Sequence, residues 1–123
     1  MTVYRTATRY YYATVAGWRL CDCAYCENYY SRIRSAYPEV AAYLASLGAD
    51  IEKPLEIAPP VEANCYLFCQ YVVFGSCPDT YRHRVGGLTF SVTHSFPDPG
   101  IRSEAPFFVL EAFNVPLECP YPL

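Results

Sequence analysis

Three cysteines fall within six positions, Cys21, Cys23 and Cys26, in the run "RLCDCAYCENYY". A thiolate either attacks an electrophile or binds a metal, so this spacing is the first place to look for chemistry. Residues two apart in an extended segment point the same way, as Cys21 and Cys23 would. Residues three apart in a helical turn also share a side, as Cys23 and Cys26 would. The three sulfurs converge if residues 21–22 are extended and a helix starts near Cys23. The free N–H groups and partial positive charge of a helix start favour the thiolate form. A closed zinc site needs four ligands, and Cys-x-x-Cys is its usual half. Cys21, Cys23 and Cys26 would supply three, and Cys77, Cys119 or His83 a fourth. Cys65 and Cys69 cannot both join, since four residues of strand span about 13 Å. Two sulfurs on one zinc lie within about 4.6 Å of each other. The same separation forbids a disulfide between that pair.

Two other readings of the cluster stand beside zinc. Cys23 could be an attacking thiolate with Cys26 as its resolving partner, as in a thioredoxin-like oxidoreductase, where Cys-x-x-Cys opens a helix after a strand. Trp18 precedes it as well. That fold, however, needs parallel strand–helix–strand crossovers, and a strand-rich second half with a break at Pro38 does not offer them. The thiols could also simply pack, because cysteine is among the most buried residue types. Elsewhere, His94 and Glu111 each interrupt an apolar strand row. Were both rows to face one core, imidazole and carboxylate could do acid–base work; the plainer expectation is an edge position or one structural hydrogen bond. "YRHR", residues 81–84, could hold an anion, or could be a solvated loop. Gly86-Gly87 is a turn signal, with no Walker-type Gly-Lys-Ser beside it.

Composition narrows the function classes. A net charge of −3 without a basic stripe argues against nucleic acid. No apolar run reaches the ~20 residues of a membrane span. The start "MTVYRTATRYYY" lacks an apolar core with a small-residue cleavage site, so a cytoplasmic chain with reduced thiols is expected. Seven cysteines cannot all pair internally. Thirteen tyrosines against seven phenylalanines put many hydroxyls in need of partners. They would cover a sheet or form a recognition surface for a protein or a small ligand.

The elements that must position these groups follow from pattern. Residues 3–15, rich in Thr, Tyr and Val, predict a half-exposed strand ended by Gly17. Asp22 would cap a helix carrying Tyr25, Tyr29, Ile33 and Tyr37 at helical spacing. Pro38 either kinks it or opens a second helix, whose stripe is Val40, Tyr43, Leu44 and Leu47, with Gly48 as its C-terminal cap. A short strand is expected at Leu55–Ala58. Residues 62–75 are apolar on both faces and predict a central strand. Residues 76–87 predict a polar loop, 88–96 an alternating strand and 106–115 a further strand.

The run "CDCAYCENYY", followed by "YPEVAAYLASLGADIEKPLEI", resembles the front half of small bacterial proteins of unknown function. These share a cysteine-rich helix start, an Asn–aromatic pair and a Leu-Gly-x-Asp turn. Here the features are Cys21, Cys23, Cys26, Asn28, Tyr29 and Leu47-Gly48-Ala49-Asp50. The resemblance implies that residues 21–50 form one unit, and it implies no activity.

The sequence therefore predicts a single α+β domain over residues 1–123. It expects a four- to five-stranded, mostly antiparallel sheet with a helix pair or kinked helix on one face. The expected role is a small intracellular binding or accessory domain with Zn2+ in the cysteine cluster. A thiol oxidoreductase and a metal-free interaction module are the alternatives.

Overall fold

The structure, a computed structural model, describes residues 1–15 and 20–121. The elements are β1 (Thr2–Val3), α1 (Arg5–Thr14), α2 (Ala24–Ala36), α3 (Pro38–Ser46), β2 (Glu56–Ile57), β3 (Pro60–Glu62), β4 (Cys65–Ser76), β5 (Arg82–Val85), β6 (Leu88–Thr93) and β7 (Phe107–Pro116). The fold is α+β. The main sheet path runs β1-β4-β7-β6-β5, and the short strands β2 and β3 also pair with β4. Every one of these pairings is antiparallel.

The long strand β4 organises the molecule. On one side it pairs with β7 from Cys65↔Pro116 to Phe74↔Phe107. On the other side β1 covers Gly75 and Ser76, and β2 covers Cys69 and Gln70. Between them α1 takes the place of a strand. The Tyr4 N–H donates to Phe74 O at 2.9 Å. The Phe74 N–H donates to Thr8 Oγ1 at 3.0 Å, and the Tyr12 hydroxyl donates to Val72 O at 2.7 Å. Residues 3–15 are therefore not the expected strand. Thr8 and Tyr12 are four apart and share a helix face, and their hydroxyls satisfy backbone groups that a neighbouring strand would otherwise satisfy. Tertiary contact overrides the β preference of Thr and Tyr. The expected stop at Gly17, like Trp18, lies outside the described residues.

Pro38 resolves into two helices. It occupies the first turn of α3, where a missing N–H costs nothing, and Tyr37 caps the end of α2 and the start of α3. At the end of α3, Gly48 takes φ +91°. The Gly48 N–H donates to Ala45 O at 2.9 Å and the Ala49 N–H to Leu44 O at 2.8 Å, a Schellman ending. A Cβ there would stand 2.6 Å from the backbone oxygen of Arg5, so glycine also lets α1 lie against the turn.

The helix pair covers one face of the sheet. Tyr29, Ile33, Val40 and Leu44 bury against Cys69, Tyr71, Phe90 and Leu110. On the opposite face Val72, Phe74 and Val109 lie beneath Ala7 and Tyr11 of α1, Leu55, and the segment carrying Phe96 and Ile101. Between Tyr66 and Cys69 the inward positions shift by one: both belong to the helix-side core, although they are three residues apart. Asn114, with φ +55°, marks the matching irregularity in β7. Residues 82–85 are a strand, not the loop expected over 76–87. Gly86 and Gly87 have φ +57° and +86°, the two positive values of a type I′ turn, and they fold β5 onto β6 through Val85↔Leu88.

The tyrosines mostly join layers rather than cover the surface. Tyr12, Tyr29, Tyr66 and Tyr71 are buried. Tyr71 donates to Ile51 O at 2.6 Å, so the 2.6 Å contact between the Tyr29 and Tyr71 hydroxyls has Tyr29 as donor. Tyr71→Phe leaves both the Tyr29 hydroxyl and the Ile51 carbonyl without this partner, and should cost about 1–3 kcal/mol. Tyr29→Phe leaves the bond to Ile51 intact and should cost about 0.5–1.5 kcal/mol. Urea unfolding of the two variants tests this order; equal losses would contradict the assigned donor direction.

Candidate metal centre

Helix α2 begins where the cysteines lie, but Asp22 is not its cap. Cys23 is the N-cap, in extended conformation at φ −67° and ψ 161°, and its sulfur accepts the Cys26 N–H at 3.4 Å. The thiol does here what an Asp or Ser oxygen does at most helix starts. The segment before it is held from the helix side, since the Tyr30 hydroxyl donates to Cys21 O at 2.9 Å. Tyr30 lies four residues after Cys26, on the same helix face. That spacing is visible in the sequence, but it does not show that Tyr30 anchors Cys21.

Together these contacts gather the sulfurs of Cys21, Cys23 and Cys26 within 4.8 Å of one another. A tetrahedral zinc with Zn–S bonds of about 2.3 Å sets sulfurs about 3.8 Å apart, so each thiol would need to move by less than about 1 Å. Cys21 and Cys23 are exposed and Cys26 is buried. The cluster could therefore hold a metal ion approached from its Cys21–Cys23 side.

The neighbours set each thiol differently. Burial pushes the Cys23 thiol up, but the backbone N–H and thiol of Cys26, the thiol of Cys21 and the Tyr25 N–H outweigh it, and the net shift is down. Burial holds the Cys26 thiol well above its ordinary range, and the Cys21 and Cys23 thiols push it further the same way. Burial also raises the Tyr30 phenol, with Cys26 and Cys21 adding to it, so Tyr30 remains a neutral donor.

The other expected ligands lie apart from this group. The ring of His83, on β5, stacks on Tyr43 with centroids 4.4 Å apart. Burial raises the Cys77 thiol, while the chain's amino terminus lowers it and Asp79 raises it, which places Cys77 at the β1 end of the sheet. Cys119 is held through its backbone N–H, which donates to Asn64 Oδ1 at 2.8 Å. Its thiol lies beside the Tyr66 hydroxyl. None of the three joins the cluster.

His94 and Glu111 do not form the acid–base pair. Strand β6 ends at Thr93, leaving His94 exposed with its Nε2 2.8 Å from Asp79 Oδ1. Glu111 is buried in β7 and accepts from Gln70 Nε2 at 2.7 Å. The same Gln70 nitrogen donates to Ser95 O at 2.9 Å, and Gln70 Oε1 has no partner among the described residues. In the "YRHR" run, Tyr81 shares a 2.7 Å hydroxyl contact with Tyr43, and Arg82 donates to the Tyr81 carbonyl.

No protein-family model matches the chain, and no curated protein or solved structure shows significant similarity to it. Among the described residues, no helix is long and apolar enough to cross a membrane.

The contrast between Cys23 and Cys26 has a direct readout. In metal-free, reduced protein, Cys23 reaches its thiolate form at lower pH than an ordinary cysteine, whereas Cys26 keeps its proton through neutral pH. Iodoacetamide at pH 7 followed by peptide mapping should label Cys23 well before Cys26. Equal labelling would contradict the arrangement.

Proposed function

We propose that this chain is a small metal-binding accessory domain whose ion, zinc, is held by Cys21, Cys23 and Cys26. One observation carries the reading: three sulfurs stand within 4.8 Å of one another at the start of α2. Packing alone gives no reason for two of the three to be exposed. The first-turn N–H groups of Tyr25 and Cys26 face the Cys23 sulfur and offset the negative charge of thiolates around a cation. Thiolates are soft donors that suit zinc and Cu(I) over magnesium or calcium. The site works only with reduced thiols, which fits a cytoplasmic setting. Its accessory role would be to present the ion, or a shape fixed by the ion, to a protein or small ligand.

Protein purified under reducing conditions should carry about one zinc per chain. Cys26→Ser and Cys21→Ser should each lower that occupancy sharply. Zinc affinity should rise with pH, because Cys26 must release a proton that burial and its neighbours hold in place. Fully folded protein that takes up no zinc at neutral pH would sink the reading.

The second reading, a redox pair, draws on the exposed Cys23 sulfur beside the buried Cys26 thiol. In it Cys23 attacks a disulfide substrate and Cys26 resolves the mixed disulfide, so the substrate leaves as two thiols and the pair as a disulfide. The antiparallel sheet does not supply the crossover of thioredoxin-like enzymes. Reduction of one equivalent of a small disulfide by the reduced protein, lost in Cys23→Ala and unaffected by zinc removal, would favour it over the metal site.

A further inference from the structure

Resting on the metal reading, we infer that the site is a three-thiolate centre whose fourth coordination position is open and is filled by a thiolate from outside the chain. Such a centre hands its ion on by ligand exchange, which a closed structural zinc does not.

The argument is one of ligand supply. The only group of three or more metal-binding side chains among the described residues is Cys21, Cys23 and Cys26. Residues 16–19 and 122–123 add no Cys, His, Asp or Glu by sequence. His83 is engaged in its stack on Tyr43. Cys77 sits among the chain's amino terminus and Asp79, and the Cys119 thiol beside the Tyr66 hydroxyl. Three thiolates leave a tetrahedral ion one ligand short.

The open side is the accessible one. Cys26 forms the buried floor of the cluster, and the exposed Cys21 and Cys23 form its rim. Cys21 also lines a cleft of about 280 Å³. A divalent ion with three thiolates carries one net negative charge, and an incoming thiolate adds another. The first-turn N–H groups of α2 that face the Cys23 sulfur offset part of that charge. An external thiol thus finds room and a soft ion beside the first turn of α2.

Cobalt(II) is the probe, because its visible spectrum reports the number and type of its ligands. The reduced 123-residue chain is loaded with Co2+ and titrated with 2-mercaptoethanol, with oligomeric state followed by sedimentation. The expected result is one cobalt per monomeric chain, with a spectrum that shifts saturably toward a four-thiolate pattern as thiol is added. A spectrum indifferent to thiol would overturn the inference while leaving the metal reading intact, and its alteration by Cys77→Ser, Cys119→Ser or His83→Ala would overturn it in favour of an internal fourth ligand. One ion shared between two chains would overturn it too. Failure to take up cobalt would remove both.

Discussion

The helices of this protein are attached to its sheet by tyrosine hydroxyls. Tyr12 of α1 reaches the Val72 carbonyl of β4, and Tyr66 of β4 reaches back to the Tyr25 carbonyl of α2 at 2.5 Å. Tyr29 and Tyr71 meet across the interface and end on Ile51 O. Tyr37, between α2 and α3, reaches the Pro116 carbonyl at the end of β7. Each ring supplies apolar area along its body and one directional bond at its tip. Hydrocarbon packing alone would let a helix slide or rotate over a sheet at small cost. A buried hydroxyl that loses its acceptor carries a desolvation penalty, so these contacts fix position as well as proximity.

That fixing matters most at the start of α2. The Tyr66 hydroxyl accepts from Asn28 Nδ2 at 3.0 Å while donating to Tyr25 O, and Asn28 also holds Glu118 O at 2.8 Å. The first turn of α2 is thereby tied to β4 and to the chain's last segment. Cys26 is part of that turn. Cys23 is bonded to the Cys26 N–H, and Cys21 is held by Tyr30. A cluster of three thiols would otherwise scatter, because thiols gain little from one another without an ion. Here the geometry precedes any ligand, which is the condition for tight coordination without a large ordering cost.

Much of the architecture could be read from pattern. The alternating and doubly apolar runs of β4, β6 and β7, the break at Pro38 and the Gly48 ending all come from local sequence. The cysteine convergence was also legible, since it depends only on spacing in an extended segment followed by a helical turn. What failed depended on distant partners. Thr8 and Tyr12 look like strand residues until the edge of β4 is placed beside them. Arg82–Val85 is too short and polar to announce a strand without Gly86-Gly87 folding it onto β6. Cys23 displaced Asp22 as cap because its thiol could reach the Cys26 N–H, a competition that residue preferences do not decide. The pairing of His94 with Glu111 assumed that alternate rows continue past Thr93, whereas β6 stops there.

Gln70 and Glu111 face each other across the two longest strands, in a stretch where almost every other side chain is hydrocarbon. A slide of β4 along β7 by two residues would keep the side chains from Cys69 to Phe74 on their proper faces, so apolar burial alone penalises it weakly along that stretch. It would, however, set Gln70 against Val109 or Phe113 and strand the carboxylate of Glu111 opposite Phe68 or Val72. One polar couple in the middle of a greasy ladder thus acts as an alignment key, making the correct registration of the central strands far better than its nearest neighbours.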